Sequence, residues 1–226
     1  MEPRLSHLLR ILVDEFISTA EPVGSQSLVD RYRLDVSPAT VRNWFSELEE
    51  EGFVMQPHTS GGRIPTELGF RTYVSLFVQP KPVSKRDHDQ LVKAATIPSD
   101  DGRRLKAVSK MLAELSGQAC VAGLNEADTF YTGLSQLFTH PEFQNWQRVV
   151  SLTEVLDHLD EALLGLRRQR FDIPKVFIGR ECPFGPICGT VMVSTGDGLI
   201  GILGPMRMDY QYTFSLMQTA LEILNA

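Results

Sequence analysis

The chain is expected to fold as α+β, an N-terminal winged helix-turn-helix followed by an antiparallel sheet with helices. Three observations lead there. Residues 5–50 hold three amphipathic stretches separated by short polar or Gly/Pro breaks, and a glycine-rich turn follows the third. After residue 175 the apolar period changes from helical to strand-like. Between these regions lies Gln79-Pro80-Lys81-Pro82-Val83-Ser84, a linker stiffened by two prolines. It divides the chain into domains 1–78 and 85–226, with 79–84 as linker.

The first helix is expected over Leu5–Ala20, with Leu5, Leu8, Leu9, Leu12, Val13, Phe16 and Ile17 as a stripe too rich for a lone surface helix. Glu21-Pro22-Val23-Gly24 breaks it. Ser25 is read as the cap of a short second helix, Gln26–Tyr32. In Ser37-Pro38-Ala39-Thr40 the serine caps a third helix and the proline takes a first-turn position, where it has no amide to lose. Val41, Phe45 and Leu48 make its apolar stripe, and Gly52 ends it in the left-handed conformation. Phe53-Val54-Met55-Gln56, a turn on Ser60-Gly61-Gly62, and Arg63-Ile64 form a hairpin with a basic tip, stopped by Pro65. A fourth helix runs Thr66–Phe77.

Further along, Asp87–Thr96 and Gly102–Ser116 read as helices. Leu105, Val108, Leu112 and Leu115 on the second suit either dimerisation or packing within the domain. A short loop or strand is expected over Ala119–Leu134, and one or two helices over Gln147–Arg168. Strands follow at Val176–Ile178, Cys188–Ser194 and Leu199–Leu203. Thr195-Gly196-Asp197-Gly198 is read as a hairpin turn and Gly204-Pro205 as a break. Asp209 caps a final helix, Tyr210–Leu224. Arg207 and Asp209 stand at a strand end of the kind that binds ligands in α/β sheets, but are read in preference as a pair fixing that corner.

A polar leading edge on a capped helix, followed by a glycine-tipped hairpin, suits the major groove of DNA. Ser37, Ala39, Thr40, Arg42 and Asn43 would face bases. Thr40 and Ala39 suit a thymine methyl, Arg42 guanine and Asn43 adenine. Ser25, Gln26, Ser27, His58, Thr59, Ser60 and Arg63 would position the phosphate backbone. The helix taken alone suits packing equally well; the adjoining turn with Arg63 favours reading. The net charge of −6 runs against a broad basic face. Residues 1–75 hold seven Arg, no Lys and eleven acidic residues. Binding by one copy should therefore be weak, dependent on a homodimer, and salt-sensitive through a few arginines.

Other chemistry finds little support. The three cysteines, Cys120, Cys182 and Cys188, are at no zinc-ligand spacing and read as reduced, partly buried thiols. Asp87-His88-Asp89 does not converge on one helix face. There is no phosphate-cradling loop, nucleophile elbow or H-E-x-x-H. No enzyme, cofactor or metal is expected. With no long apolar run and no leader pattern at its start, the chain reads as cytoplasmic, without a membrane partner.

Several strings carry a resemblance: E-P-V-G-S-Q-S-L (21–28), D-V-S-P-A-T-V-R-N (35–43), L-E-E-E-G-F (48–53), Q-P-H-T-S-G-G-R-I-P-T (56–66) and G-F-R-T-Y-V (69–74). They resemble the heat-inducible transcription repressor family, HrcA, over nearly all of residues 1–78. V-F-I-G-R-E (176–181) and G-I-L-G-P-M-R-M-D-Y (201–210) resemble segments of that family's GAF-like domain. The resemblance implies a dimeric repressor on an inverted-repeat operator of double-stranded DNA upstream of chaperone genes, inactivated by heat and restored by the chaperonin. It also implies that residues 85–226 are a shortened, dimerising GAF-like domain. The long stretch that in the family separates the equivalents of Met111–Gly117 and Tyr131–Phe143 is here very short. Trp44, Phe45 and Gly61 stand where the family usually has Asp, Met and Ala. Trp44 is either a packing residue or an apolar contact to the DNA backbone. A rival reading is a winged-helix regulator whose GAF-like domain senses a small-molecule effector and controls a different regulon.

Overall fold

The computed structural model describes residues 1–57, 61–96, 100–124, 128–143, 159–167, 169–196 and 198–226. It is mixed helix and antiparallel sheet, in two units, Met1–Val78 and Gln79–Ala226.

In the N-terminal unit, α1 spans Pro3–Thr19 and ends at Ala20 in the left-handed conformation (φ 58°), its N–H bonding the carbonyl of Phe16. Leu5, Leu8, Leu9, Ile11, Leu12 and Val13 are buried, as their three-to-four spacing demands. Phe16 and Ile17 are only half-buried. The charged Glu15, by contrast, is buried. Its carboxylate accepts from Arg31 at 2.7 Å and from the Tyr32 hydroxyl at 3.5 Å, which ties α1 to the end of α2, Ser25–Tyr32. Burial and the nearby Glu15 charge both push the Tyr32 pKa up.

α3 spans Pro38–Glu50, with the Ser37 hydroxyl accepting from the Thr40 amide at 3.1 Å and Pro38 opening the first turn. Val41, Phe45 and Leu48 face inward. Gly52 (φ +79°) closes the helix, with N–H bonds from Gly52 to Glu49 and from Phe53 to Leu48. β1, Val54–Met55, pairs with β2, Ile64–Pro65, in register Val54↔Pro65. Thr66 then caps α4, Glu67–Phe77. Its hydroxyl accepts from the Gly69 amide and donates to the Gly52 carbonyl at 2.6 Å, joining the end of α3 to the start of α4.

In the C-terminal unit, α5 is Lys85–Thr96 and α6 is Asp101–Ser116, the latter capped by Asp100 through the Arg103 amide. Five strands follow: β3 Ala119–Gly123, β4 Thr129–Thr132, β5 Lys175–Ile178, β6 Cys188–Thr195 and β7 Gly198–Pro205. They form one antiparallel sheet, ordered β4-β3-β7-β6-β5. A short helix α7, Leu134–Leu137, and α8, Leu159–Arg167, precede β5, and α9, Tyr210–Leu224, closes the chain. Side chains alternate between faces along a strand. Ala119, Val121, Met192, Leu199 and Leu203 accordingly meet Leu137, Leu159 and Leu163 on one face. On strands β3, β6 and β7 the alternate residues Cys120, Val191, Val193, Ile200 and Ile202 are also fully buried. α6 packs on β3 and β7, and α9 packs on β6, so the sheet is covered on both sides.

Three expectations are corrected here. Within residues 119–134, Ala119–Gly123 and Thr129–Thr132 are paired antiparallel strands, not a loop or a single strand, and Cys120↔Thr132 and Cys120↔Ile202 give β3 a partner on each side. Gly204-Pro205 does not break the strand. Pro205 closes the pairing opposite Cys188, beyond the end of β3, where no ladder donor is needed from it. Arg207 and Asp209 do not pair. Arg207 donates to both carboxylate oxygens of Glu142, and Asp209 accepts from the Tyr212 amide at 2.9 Å. The stripe on α6 serves the interior: Leu105, Val108 and Leu112 are fully buried within this unit. Of the helix read at 147–168, residues 147–158 and 168 lie outside the described residues. The three cysteines are free and buried, and burial pushes the thiols of Cys120 and Cys182 up to about 12. Among the described residues no helix is long and apolar enough to cross a membrane.

Candidate nucleic-acid interface

The amino end of α3 turns a largely exposed, mostly polar face outward. Ser37, Ala39, Arg42 and Asn43 are exposed and Thr40 is half-buried, its hydroxyl 3.0 Å from that of Ser37. The helix presents them because Val41, Phe45 and Leu48 commit the other face to the core. Five of the sequence-selected residues are thus brought together on the cap and first two turns of α3.

The amino end of α2 lies beside them. Ser25 does not cap that helix: the cap position is Gly24, without a side-chain bond, and Ser25 is the first helical residue. Ser27 donates to the Gly24 carbonyl, and Ser25 accepts instead from Arg42 Nε at 3.3 Å. Gln26 is exposed and bonds Asp30. Ser25, Gln26, Arg42, Gln56 and Arg63 line a cleft of about 510 Å³ between α2, α3 and the hairpin.

His58, Thr59 and Ser60 lie outside the described residues. Arg63 is described, and its place differs from the expected basic tip. Its N–H and C=O pair with Val23 at 2.9 and 2.8 Å, and its guanidinium meets Glu49 at 2.9 Å with the side chain 15% exposed. It sits just before β2, where the chain leaves the turn, and its charge is already paired with Glu49. The Glu47 carboxylate is likewise held by Arg4 at 2.9 Å. Arg4 also lies 5.8 Å over the half-buried Trp44 ring. Trp44 is therefore packed against Arg4. These pairs dispose of much of the acid near α3. Arg42 has no carboxylate partner among the described residues.

Sequence reading missed Glu49, Gln56 and Val23. Glu49 reads as one acid in a run of charged residues at the far end of the helix, and its partner is fourteen positions away. No local signal marks such a pair. Among the described residues no group of three or more His, Cys, Asp or Glu could hold a metal ion.

The family model described as the HrcA protein C terminal domain matches residues 89–214. Among curated proteins, the chain is similar to the heat-inducible transcription repressor HrcA of Acidothermus cellulolyticus, at 42% identity over 123 residues, 54% of this chain and 36% of that one. It is similar to that of Frankia casuarinae at 43% over 123 residues, again 54% and 36%. The chain thus spans about a third of the length of the curated relatives it matches. A crystal structure described as a hypothetical protein at 2.2 Å resolution shares the fold, with a TM-score of 0.77 at 17% identity, covering 100% of this chain and 96% of that one. With more than half of its residues matched by the family model, the chain belongs to the HrcA family.

Proposed function

We propose that this chain is a transcription repressor that binds double-stranded DNA as a homodimer, not an enzyme. Residues 1–78 act as a winged helix-turn-helix. α3 enters the major groove, with Ser37, Ala39, Thr40, Arg42 and Asn43 toward base edges. Ser25, Gln26, Ser27, His58, Thr59 and Ser60 position the phosphate backbone. Residues 79–84 link to a GAF-like, dimerising domain, 85–226. The operator is an inverted repeat upstream of chaperone genes in the cytoplasm. Heat releases the repressor by loosening the dimer, and the chaperonin is its restoring partner. What carries the reading is the exposed polar tip of α3 beside the amino end of α2, with Arg42, bonded to Ser25 and without a carboxylate partner among the described residues, between them. The curated relatives' own name, heat-inducible transcription repressor, supports it.

The test is a gel shift of Arg42→Ala on inverted-repeat fragments from a chaperone-operon promoter. Loss of one good base contact should weaken binding by about 1–3 kcal/mol. Unchanged affinity would overturn the assignment of Arg42. Heat release requires operator binding to vanish no lower in temperature than the C-terminal unit loosens. Circular dichroism showing that unit intact well above the release temperature would refute the dimer-loosening step.

A further inference from the structure

Among the described residues, one side chain of α3 holds the hairpin that follows it at two points. Glu49 Oε2 accepts from Arg63 Nη2 at 2.9 Å, and Glu49 Oε1 accepts from the Gln56 amide at 3.2 Å. Gln56 follows β1 and Arg63 precedes β2, so a single carboxylate grips both strands where they enter and leave the tip. Gln56 closes the loop from within, its Nε2 donating to the Gly61 carbonyl at 3.2 Å. Arg63 is pinned a second time by its backbone bonds to Val23, in the turn between α1 and α2. Gly62 lets that approach occur, since a Cβ there would meet the Val23 carbonyl oxygen at 2.3 Å.

We infer that Glu49 is a positioning residue for DNA binding: through Arg63 and Gln56 it sets the angle of the hairpin to the reading helix. This rests on the proposed DNA reading. Arg63 then serves as the other half of the clamp and is not a phosphate contact, because its charge is already spent on Glu49 and 85% of its side chain is covered, from the 15% exposure above.

The inference has an unusual sign. A carboxylate near polyanionic DNA should weaken binding by Coulomb's law, so removing it should tighten the complex. A clamp predicts the reverse. The probe is a labelled duplex that the wild-type full-length chain selects from a randomised pool. Glu49→Gln should bind it about tenfold more weakly, a loss in the range that coupled neighbours show, and Glu49→Ala more weakly still. Arg63→Gln should lose a similar factor with the slope of log affinity against log salt unchanged. A phosphate contact would flatten that slope by about 0.9. Independently of DNA, the Gln56 amide should exchange its hydrogen faster in Glu49→Ala than in wild type. If the wild-type chain enriches no duplex, the DNA reading itself falls, and the inference with it. If the wild type binds while Glu49→Gln binds equally or more tightly, or Arg63→Gln flattens the salt slope, the reading stands and the clamp is overturned. Should Glu49→Ala unfold, Glu49→Gln, which keeps an acceptor for Gln56, carries the test alone.

Discussion

Residues 1–78 join several of their elements with charged and polar pairs laid over a core of helix side chains, whereas residues 79–226 bury apolar side chains on both faces of a sheet. In the first unit Glu15 joins α1 to α2, Tyr73 joins α4 to Asp14 at 2.6 Å, Thr66 joins α3 to α4, and Glu49 joins α3 to the hairpin. In the second, buried hydroxyls mostly satisfy their own helix, as Ser109 does toward Leu105 and Thr219 toward Ser215. The sheet itself is held by its ladders and by packing on both faces. The difference teaches where each unit is adjustable. A domain whose geometry depends on individual pairs can be re-aimed by one substitution. A sheet packed on both faces responds to substitution mainly by losing stability.

The largest test of that contrast uses the cores. Leu12→Ala and Ile202→Ala, both at fully buried positions, should each cost about 2–5 kcal/mol. Calorimetry of the full chain should show each change lowering the transition of its own unit. A common shift would merge the two units into one cooperative block. Gly62→Ala comes next. Its Cβ would strike rigid backbone at Val23, so a cost of roughly 1–3 kcal/mol to the first unit is expected. Full stability in this variant would show that the hairpin is not pinned there. Ser37→Ala removes the cap of α3 and should cost about 1 kcal/mol, read by urea denaturation of the first unit.

The smallest effect is electrostatic and belongs to the second unit. Burial, helped by the nearby Arg207 charge, lowers the His140 pKa below its usual 6.5. The folded state then takes up that proton at lower pH than the unfolded state. Its contribution to stability is complete above 6.5 and falls away as pH drops below that value. His140→Gln should therefore lessen the fall in melting temperature of the second unit between neutral and mildly acid pH. An unaltered pH profile would assign that fall to carboxylates alone.

The amino-acid sequence by itself determined the helices of residues 1–78 and their polar tip. Ser37-Pro38, the Val41-Phe45-Leu48 stripe, Gly52 and Thr66 are signals that act within a few residues, and each sits where its chemistry requires. It also determined β5, β6, β7 and the capped last helix, for the same reason. Tertiary structure alone decided the pairings across distance. β3 and β4 form an edge of the sheet because β7, some eighty residues later, offers β3 a ladder. Arg207 turns to Glu142 and away from its near neighbour Asp209. Arg63, just before β2, is mostly covered and held by Glu49 and Val23, when its position beside the glycines read as an exposed tip. Backbone propensity and capping are local energies that a linear reading sees, whereas ion pairs and ladders between distant segments exist only after the chain has closed on itself.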